Sequence, residues 1–260
     1  MFLIYNIFLL IILLISPIIL IIRILLGKED KKRFREKFCL FSKNNHINGT
    51  VWFHGASVGE ILSIIPIIKK FEKNNKIKKI LITSSTTSSS YILSKYKFKK
   101  TIHQFYPFDL NMFTNQFIEY WKPKLAIFVD SEIWPNMYNN LEKQKIPILL
   151  INGRITKKTF KRWSKFPNFA QKVFGKITLA LPQNNESNIY LRKLGTKKIK
   201  NAGNLKYYKN ESSINKSRIN LKIKNKLVFC AASTHYNEEN IIGKLHLELK
   251  KKFKNLLTIL

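Results

Sequence analysis

Cysteine is nearly absent. Cys39 and Cys230 are the only two in 260 residues. They lie far apart, without a C-x-x-C pair or a His at metal-ligand spacing, which excludes a disulfide framework and argues against a zinc site. Both read as reduced thiols of a cytoplasmic protein. Acidic residues are scarce too, 15 Asp and Glu against 47 Lys and Arg, a formal charge of +32. The excess is spread along the chain. Part of it reflects a composition rich in Lys, Ile and Asn, all with AT-rich codons. The rest attracts anionic lipid, nucleic acid or phosphorylated substrate through a field that decays over about 8 Å at physiological salt. No nucleic-acid motif accompanies the charge, and aromatics are not interleaved with the basic residues in a stacking pattern, so nucleic acid is set aside as a partner. The 45% hydrophobic content excludes global disorder. It suffices for one large domain, or for one domain and part of a second.

Charge is missing altogether from Met1 to Ile22. About 20 apolar residues cross the hydrocarbon core as a helix, so this run predicts a membrane anchor, with Pro17 tolerated as a kink. A cleaved signal peptide is the competing reading, but the run lacks a basic segment before it and a small-x-small site after it. The following GKEDKKRFREKF predicts, by the positive-inside bias, a single-pass anchor with the body facing the cytoplasm. The same strip offers cations to an anionic membrane surface. No second stretch is long and apolar enough to span.

Beyond the polar SKNNHINGT, short apolar runs alternate with amphipathic ones, the rhythm of βαβ units and a parallel sheet. TVWFH predicts a strand, GASVG a turn and EILSIIPIIKKFEK a helix. KKILITSS, KPKLAIFVD, IPILLING, KITLALPQ and IKNAGNLK predict further strands. TSSTTSSSYILSKY, NMYNNLEKQK and FPNFAQKVFGK predict helices. A polar stretch follows, then KLVFCAAS, THYNEENIIGKLHLELKKKF and NLLTIL open a fresh strand, helix and strand. The expected organisation is an anchor helix over 1–27, a basic juxtamembrane segment and linker over 28–49, and a Rossmann-like domain over 50–206. A linker over 207–225 and the start of a second domain over 226–260 complete it.

HGASVGE at His54–Glu60, YPFDL at Tyr106–Leu110, KPKLAIFVDSEIWPN at Lys122–Asn136, KIPILLINGR at Lys145–Arg154, GNLKY at Gly203–Tyr207 and AASTH at Ala231–His235 resemble, in this order, the Kdo (3-deoxy-D-manno-octulosonic acid) transferases of lipopolysaccharide biosynthesis. The resemblance implies a GT-B-type α/β fold. Its N-terminal Rossmann-like acceptor domain would be complete here and its C-terminal nucleotide-sugar domain only begun. It implies CMP-Kdo as donor, lipid A or its tetraacyl precursor lipid IVA as acceptor, no cofactor and no metal, and a place at the bacterial inner membrane. The family's V-P-R-H-P, glycine-rich and N-x-L-E-P segments, which hold the cytidine nucleotide, are missing. The chain therefore reads as C-terminally truncated, and Tyr208 replaces an Asp common in the family.

Sugar transfer needs a base for the acceptor hydroxyl and groups that stabilise the departing phosphate. Glu60 follows a glycine turn at a strand end, where open α/β sheets bind ligands. On local pattern alone the stronger reading is a favourable acid in a helix's first turn; the resemblance reverses this and makes it the catalytic base. Ser57, Gly59, Thr83, Ser84, Glu132 and Arg154 are the acceptor-binding candidates. Against these stand an N-cap role for Ser57, a turn role for Gly55 and Gly59, low complexity for the Ser/Thr cluster, and a structural ion pair for Asp130 or Glu132. His54 either contacts substrate or packs in the core. Arg154 suits phosphate through its bidentate fork. Lys206, Ser233, Thr234 and His235 are the donor-binding candidates, with a simple helix cap as the alternative for the last three. A non-catalytic or split relative, binding acceptor at the membrane, is the second functional reading.

Overall fold

A computed structural model describes residues 1–40, 49–207, 223 and 225–260. The chain divides into two compact units, residues 1–208 and 209–260. Most of the expected linker over 207–225, with Tyr208, lies outside the described residues.

The first unit is built on six parallel strands, β1 (Thr50–His54), β2 (Ile80–Ser84), β3 (Thr101–Phe105), β4 (Pro123–Val129), β5 (Ile148–Gly153) and β6 (Leu179–Pro182), in the order β3-β2-β1-β4-β5-β6. The chain starts in the middle, winds outward to β3, returns beside β1 as β4 and winds outward again. Neighbouring strands β1 and β4 therefore send their following loops in opposite directions. The crevice so opened at their carboxyl ends is where sheets of this topology bind ligands.

Because side chains alternate along a strand, the sheet feeds two cores. Trp52, Leu81, Phe128 and Leu150 enter one, with α4 (Asn111–Trp121), α5 (Pro135–Lys143), α7 (Pro167–Phe174) and α8 (Asn185–Leu194). Phe53, Ile82, Val129 and Ile151 enter the other, with α2 (Val58–Lys73) and α3 (Thr87–Ser94). Burial on both faces explains why these strands read as continuous apolar runs. Helix α2 buries Ile61, Ile64, Ile65 and Ile68, spaced to one face, and Ser57 caps its N-terminus by accepting the Glu60 N–H. A short α6 (Lys157–Ser164) lies between β5 and α7.

The uncharged N-terminal run forms α1 (Phe2–Leu25), which continues through Pro17. It is the one helix among the described residues long and apolar enough to cross a membrane. The basic strip after it is less free than its charge suggests. Arg33–Phe38 forms a 3₁₀ turn on edge strand β3. There Glu36 accepts the Phe105 N–H at 2.8 Å, Arg33 donates to the His103 carbonyl at 2.9 Å, and Lys37 pairs with Glu29 at 2.7 Å. The turn thereby covers an otherwise open strand edge, and Arg33 and Lys37 are committed to protein rather than to headgroups.

Elsewhere the structure departs from the sequence expectation at IKNAGNLK and at residues 101–121, and it adds α6 and α8, where no helix was expected. IKNAGNLK is not a strand: only Ile199 bridges to Ala180, Gly203 turns left-handed at φ 76°, and Leu205–Tyr207 is a 3₁₀ turn. Residues 101–121, which carry no clean alternation, supply β3 and α4. The second unit holds a parallel pair, β7 (Leu227–Cys230) and β8 (Leu256–Ile259), joined by α9 (Glu238–Lys252).

Candidate active site

The carboxyl end of β1 delivers His54 and then the turn Gly55-Ala56-Ser57 into α2. Glu60, in the first turn of that helix, is half-buried with both carboxylate oxygens held. Oε2 accepts the Ala56 N–H at 2.7 Å and Oε1 accepts the Ser57 hydroxyl at 2.8 Å. Burial first, and the nearby Glu132 carboxylate second, push the Glu60 pKa above its ordinary value; the two hydrogen bonds pull it down and Asp130 adds a further upward push. The outcome is a carboxylate in a fixed rotamer with heightened basicity, the property a general base needs.

Gly55 makes this position possible. A Cβ there would sit 3.1 Å from the Glu60 Cβ and 3.6 Å from its carbonyl carbon. Gly59, the candidate named from the motif, has open space where its Cβ would be, so it bounds the crevice without being squeezed by it.

Opposite, the loop after β4 brings Glu132. Its Oε2 accepts the Trp134 indole N–H at 2.9 Å and meets His54 Nε2 at 3.1 Å, while its backbone carbonyl accepts the Tyr138 hydroxyl. His54 is fully buried, stacked on Tyr106 with ring centroids 3.9 Å apart. Its Nδ1 lies 2.9 Å from the Thr83 hydroxyl, which also accepts the Trp52 indole N–H. The chain Trp52–Thr83–His54–Glu132–Trp134 thus runs across β2, β1 and β4. It orients Glu132 at the mouth of the crevice, in the way polar chains with every member bonded rigidify a site.

This changes the reading of two acceptor candidates. Thr83 and Ser84 are completely enclosed. Thr83 is spent on His54 and Trp52, and Ser84 bonds His103 Nε2 at 2.8 Å. His103 is in turn depressed to about 3 by burial and the adjoining Arg33. Both residues reach a ligand only through their neighbours. Arg154 is exposed just past β5, and its N–H is fixed to the Asp130 carbonyl at 3.1 Å. Asp130 and Asn152 adopt left-handed backbone at the ends of β4 and β5, with φ of 62° and 52°. Asn152 Oδ1 accepts the Leu205 N–H at 3.1 Å, drawing the GNLKY turn to the same end of the sheet. The Lys206 side chain lies outside the described residues.

Ser233, Thr234 and His235 sit between β7 and α9 in the second unit. Thr234 donates to Glu239 at 3.2 Å and the His235 N–H donates to Glu238 at 2.8 Å. Neither contact caps an N–H of α9, whose N-cap residue Asn237 has no side-chain capping bond, and Ser233 has a left-handed φ of 62°. Sequence reasoning underrated the His54–Glu132 link and Tyr106. The signal available was their place in the HGASVGE, DSEIWPN and YPFDL motifs.

Residues 32–209 match the family model described as 3-deoxy-D-manno-octulosonic-acid transferase (kdotransferase). A 3-deoxy-D-manno-octulosonic acid transferase of Rickettsia bellii is 34% identical over 238 residues, covering 90% of this chain and 57% of that protein. The Haemophilus influenzae protein of the same name is 30% identical over 216 residues, covering 81% of this chain and 51% of the relative. The chain thus spans little more than half the length of these relatives. Among solved structures, the UDP-GlcNAc 2-epimerase of Neisseria meningitidis bound to UDP-GlcNAc superimposes with a TM-score of 0.56 at 17% identity, over 80% of this chain and 64% of that one. That likeness concerns the fold alone, and it agrees with a GT-B-type α/β class.

Proposed function

The chain belongs to the Kdo transferase family, and from that premise we propose that it transfers Kdo from CMP-Kdo to lipid A or lipid IVA at the cytoplasmic face of the inner membrane. The observation that carries this reading is Glu60, a half-buried carboxylate of raised pKa held by two donors at the carboxyl end of β1.

In the proposed reaction Glu60 takes the proton from an acceptor hydroxyl, whose oxygen attacks the anomeric carbon of Kdo while the bond to the CMP phosphate breaks. Glu132, held by His54 and Trp134, and Ser57 and the open edge at Gly59 position the acceptor sugar. Arg154 takes an acceptor phosphate by its fork. Lys206, Ser233, Thr234 and His235 serve the donor, where hydroxyls and a cation offset the charge of the leaving phosphate. Helix α1 keeps the protein at the surface where its lipid substrate resides.

The test is transfer of radiolabelled Kdo from CMP-Kdo to lipid IVA by membranes carrying the chain, with Glu60→Ala beside it. Transfer that Glu60→Ala abolishes is the expected result. Lipid IVA binding without transfer, unchanged in Glu60→Ala, overturns the catalytic role in favour of an acceptor-binding module.

A further inference from the structure

A helix of 24 residues is about 36 Å long, enough to put its two ends on opposite sides of a hydrocarbon core about 30 Å thick. In α1 both ends instead touch the same folded unit. In its first turns the Tyr5 hydroxyl donates to Asp109 Oδ2 at 2.8 Å, Asn6 Oδ1 accepts from Asn136 Nδ2 at 2.7 Å, and the Phe2 ring stands edge-on to Phe169 at 4.9 Å. At the far end Arg23 bonds Glu29 at 3.1 Å, and Glu29 also holds Lys37.

Between these ends Leu9 and Leu13 pack on the core, and Ser16 and Leu20 are buried. Asp109 is 3% exposed. Carrying Tyr5 across a bilayer strips that sealed carboxyl of a hydroxyl donor. The opposite face is wholly apolar and uncovered, with Leu14 and Leu25 each 80% exposed.

Next to the first turns of α1 lies an open groove of about 370 Å³, lined by Ile4 and Phe8 from the helix and by Arg162, Trp163 and Phe166 from the α6–α7 corner. Helix α6 adds exposed Lys157, Lys158 and Lys161. Aromatic rings flanked by cations are the composition of a protein surface at the level of anionic headgroups. An in-plane helix ordinarily needs a polar face of its own; here the folded unit takes that place.

We propose that α1 lies in the plane of the membrane rather than across it. Residues at its N-terminus and the folded unit are then on the same side, and the α1–α6 groove takes an acyl chain of an anionic phospholipid whose headgroup meets Arg162. This rests on the reading of α1 as the membrane anchor.

The experiment places an epitope tag ahead of Met1 and a single reactive cysteine, Lys143→Cys, in a Cys230→Ser background, and treats oriented membrane vesicles with a protease and a membrane-impermeant maleimide. Tag and cysteine attacked from the same face is the expected result. Attack from opposite faces overturns the in-plane arrangement and leaves the anchor standing; recovery of the chain in the soluble fraction overturns both. For the groove, phosphatidylglycerol vesicles with doxyl-labelled acyl chains quench tryptophan fluorescence. At least half of that quenching is expected to vanish in Trp163→Phe. Quenching unchanged by that substitution overturns the groove as a lipid site.

Discussion

Two carboxyl groups of this protein are displaced in the same direction by the same force and end in opposite circumstances. Glu60 stands at the β1–β4 crevice, and Asp109 lies sealed beneath the first turns of α1. Burial raises both, Asp109 from 3.8 to about 7. Glu60 keeps an open side and a second carboxylate as neighbour, so its basicity is available to a ligand. Asp109 is enclosed on every side by the Asn136 and Met137 N–H groups and the Tyr5 hydroxyl, so it ties elements together. A raised pKa alone does not mark a catalytic group. The opening beside it decides, which is why perturbed carboxylates indicate sites only statistically.

The sharpest way to break this contrast is to neutralise or remove each carboxylate in turn. Glu60→Gln is expected to lower Kdo transfer by about 10²–10⁴-fold, the range for a lost general base. Its melting temperature in detergent should hold or rise above pH 5, because a carboxyl whose folded pKa is raised costs stability once ionised. A transfer rate within a few-fold of the parent removes Glu60 from the chemistry.

Asp109→Ala leaves three donors unpaired and is expected to cost on the order of 2–3 kcal/mol, read by denaturant unfolding, with little change in transfer per folded molecule. Its pH signature follows from the direction of the shift. The folded state holds the proton more tightly than the unfolded one, so the stability this group contributes is full below about pH 4 and is lost as pH rises towards about 7. Asp109→Asn should flatten that decline, and a decline of unchanged slope would assign the pH dependence to another group.

Gly55→Ala tests the crevice by steric means. Its Cβ must displace the Glu60 side chain from 3.1 Å, so a transfer loss of about 10-fold, falling on kcat, is expected with less than about 1 kcal/mol of destabilisation, since misplacing a reacting group costs rate before it costs fold. The smallest effect is expected from Glu132→Gln. Removing a charge that raises Glu60 should move the acidic limb of the rate profile to lower pH, while the indole contact of Trp134 survives. A limb that does not move would mean that Glu132 does not act on Glu60.

Much of the fold was legible in the chain because a parallel sheet buried on both faces needs uninterrupted apolar runs. TVWFH, KKILITSS and IPILLING have no other way to be satisfied. TIHQF escaped that logic since β3 is an edge strand whose Phe105 N–H is met by Glu36, a residue from the basic strip. IKNAGNLK misled in the other direction, its apolar residues serving one bridge and a turn pinned by Asn152. At the site, Glu60 was legible as a base only through the family motif, its place after a glycine turn being equally that of a favourable first-turn acid, whereas the enclosure of Thr83 and Ser84 was not legible at all. A Ser/Thr cluster looks the same whether its hydroxyls face a ligand or a buried His.

The amino-acid sequence by itself determined the family, the uncharged helix at the N-terminus, five of the six strands of the central sheet and, through the family motif, the candidate base. Each of these rests on local pattern or on residues adjacent in the chain. Only the tertiary structure decided that Glu132 answers His54 across 78 positions, that Glu29 and Glu36 consume part of the basic strip, and that Tyr5 meets Asp109 across 104 positions. Those contacts depend on which strand ends and helix ends the winding of the sheet brings side by side, and no periodicity in the chain encodes that meeting.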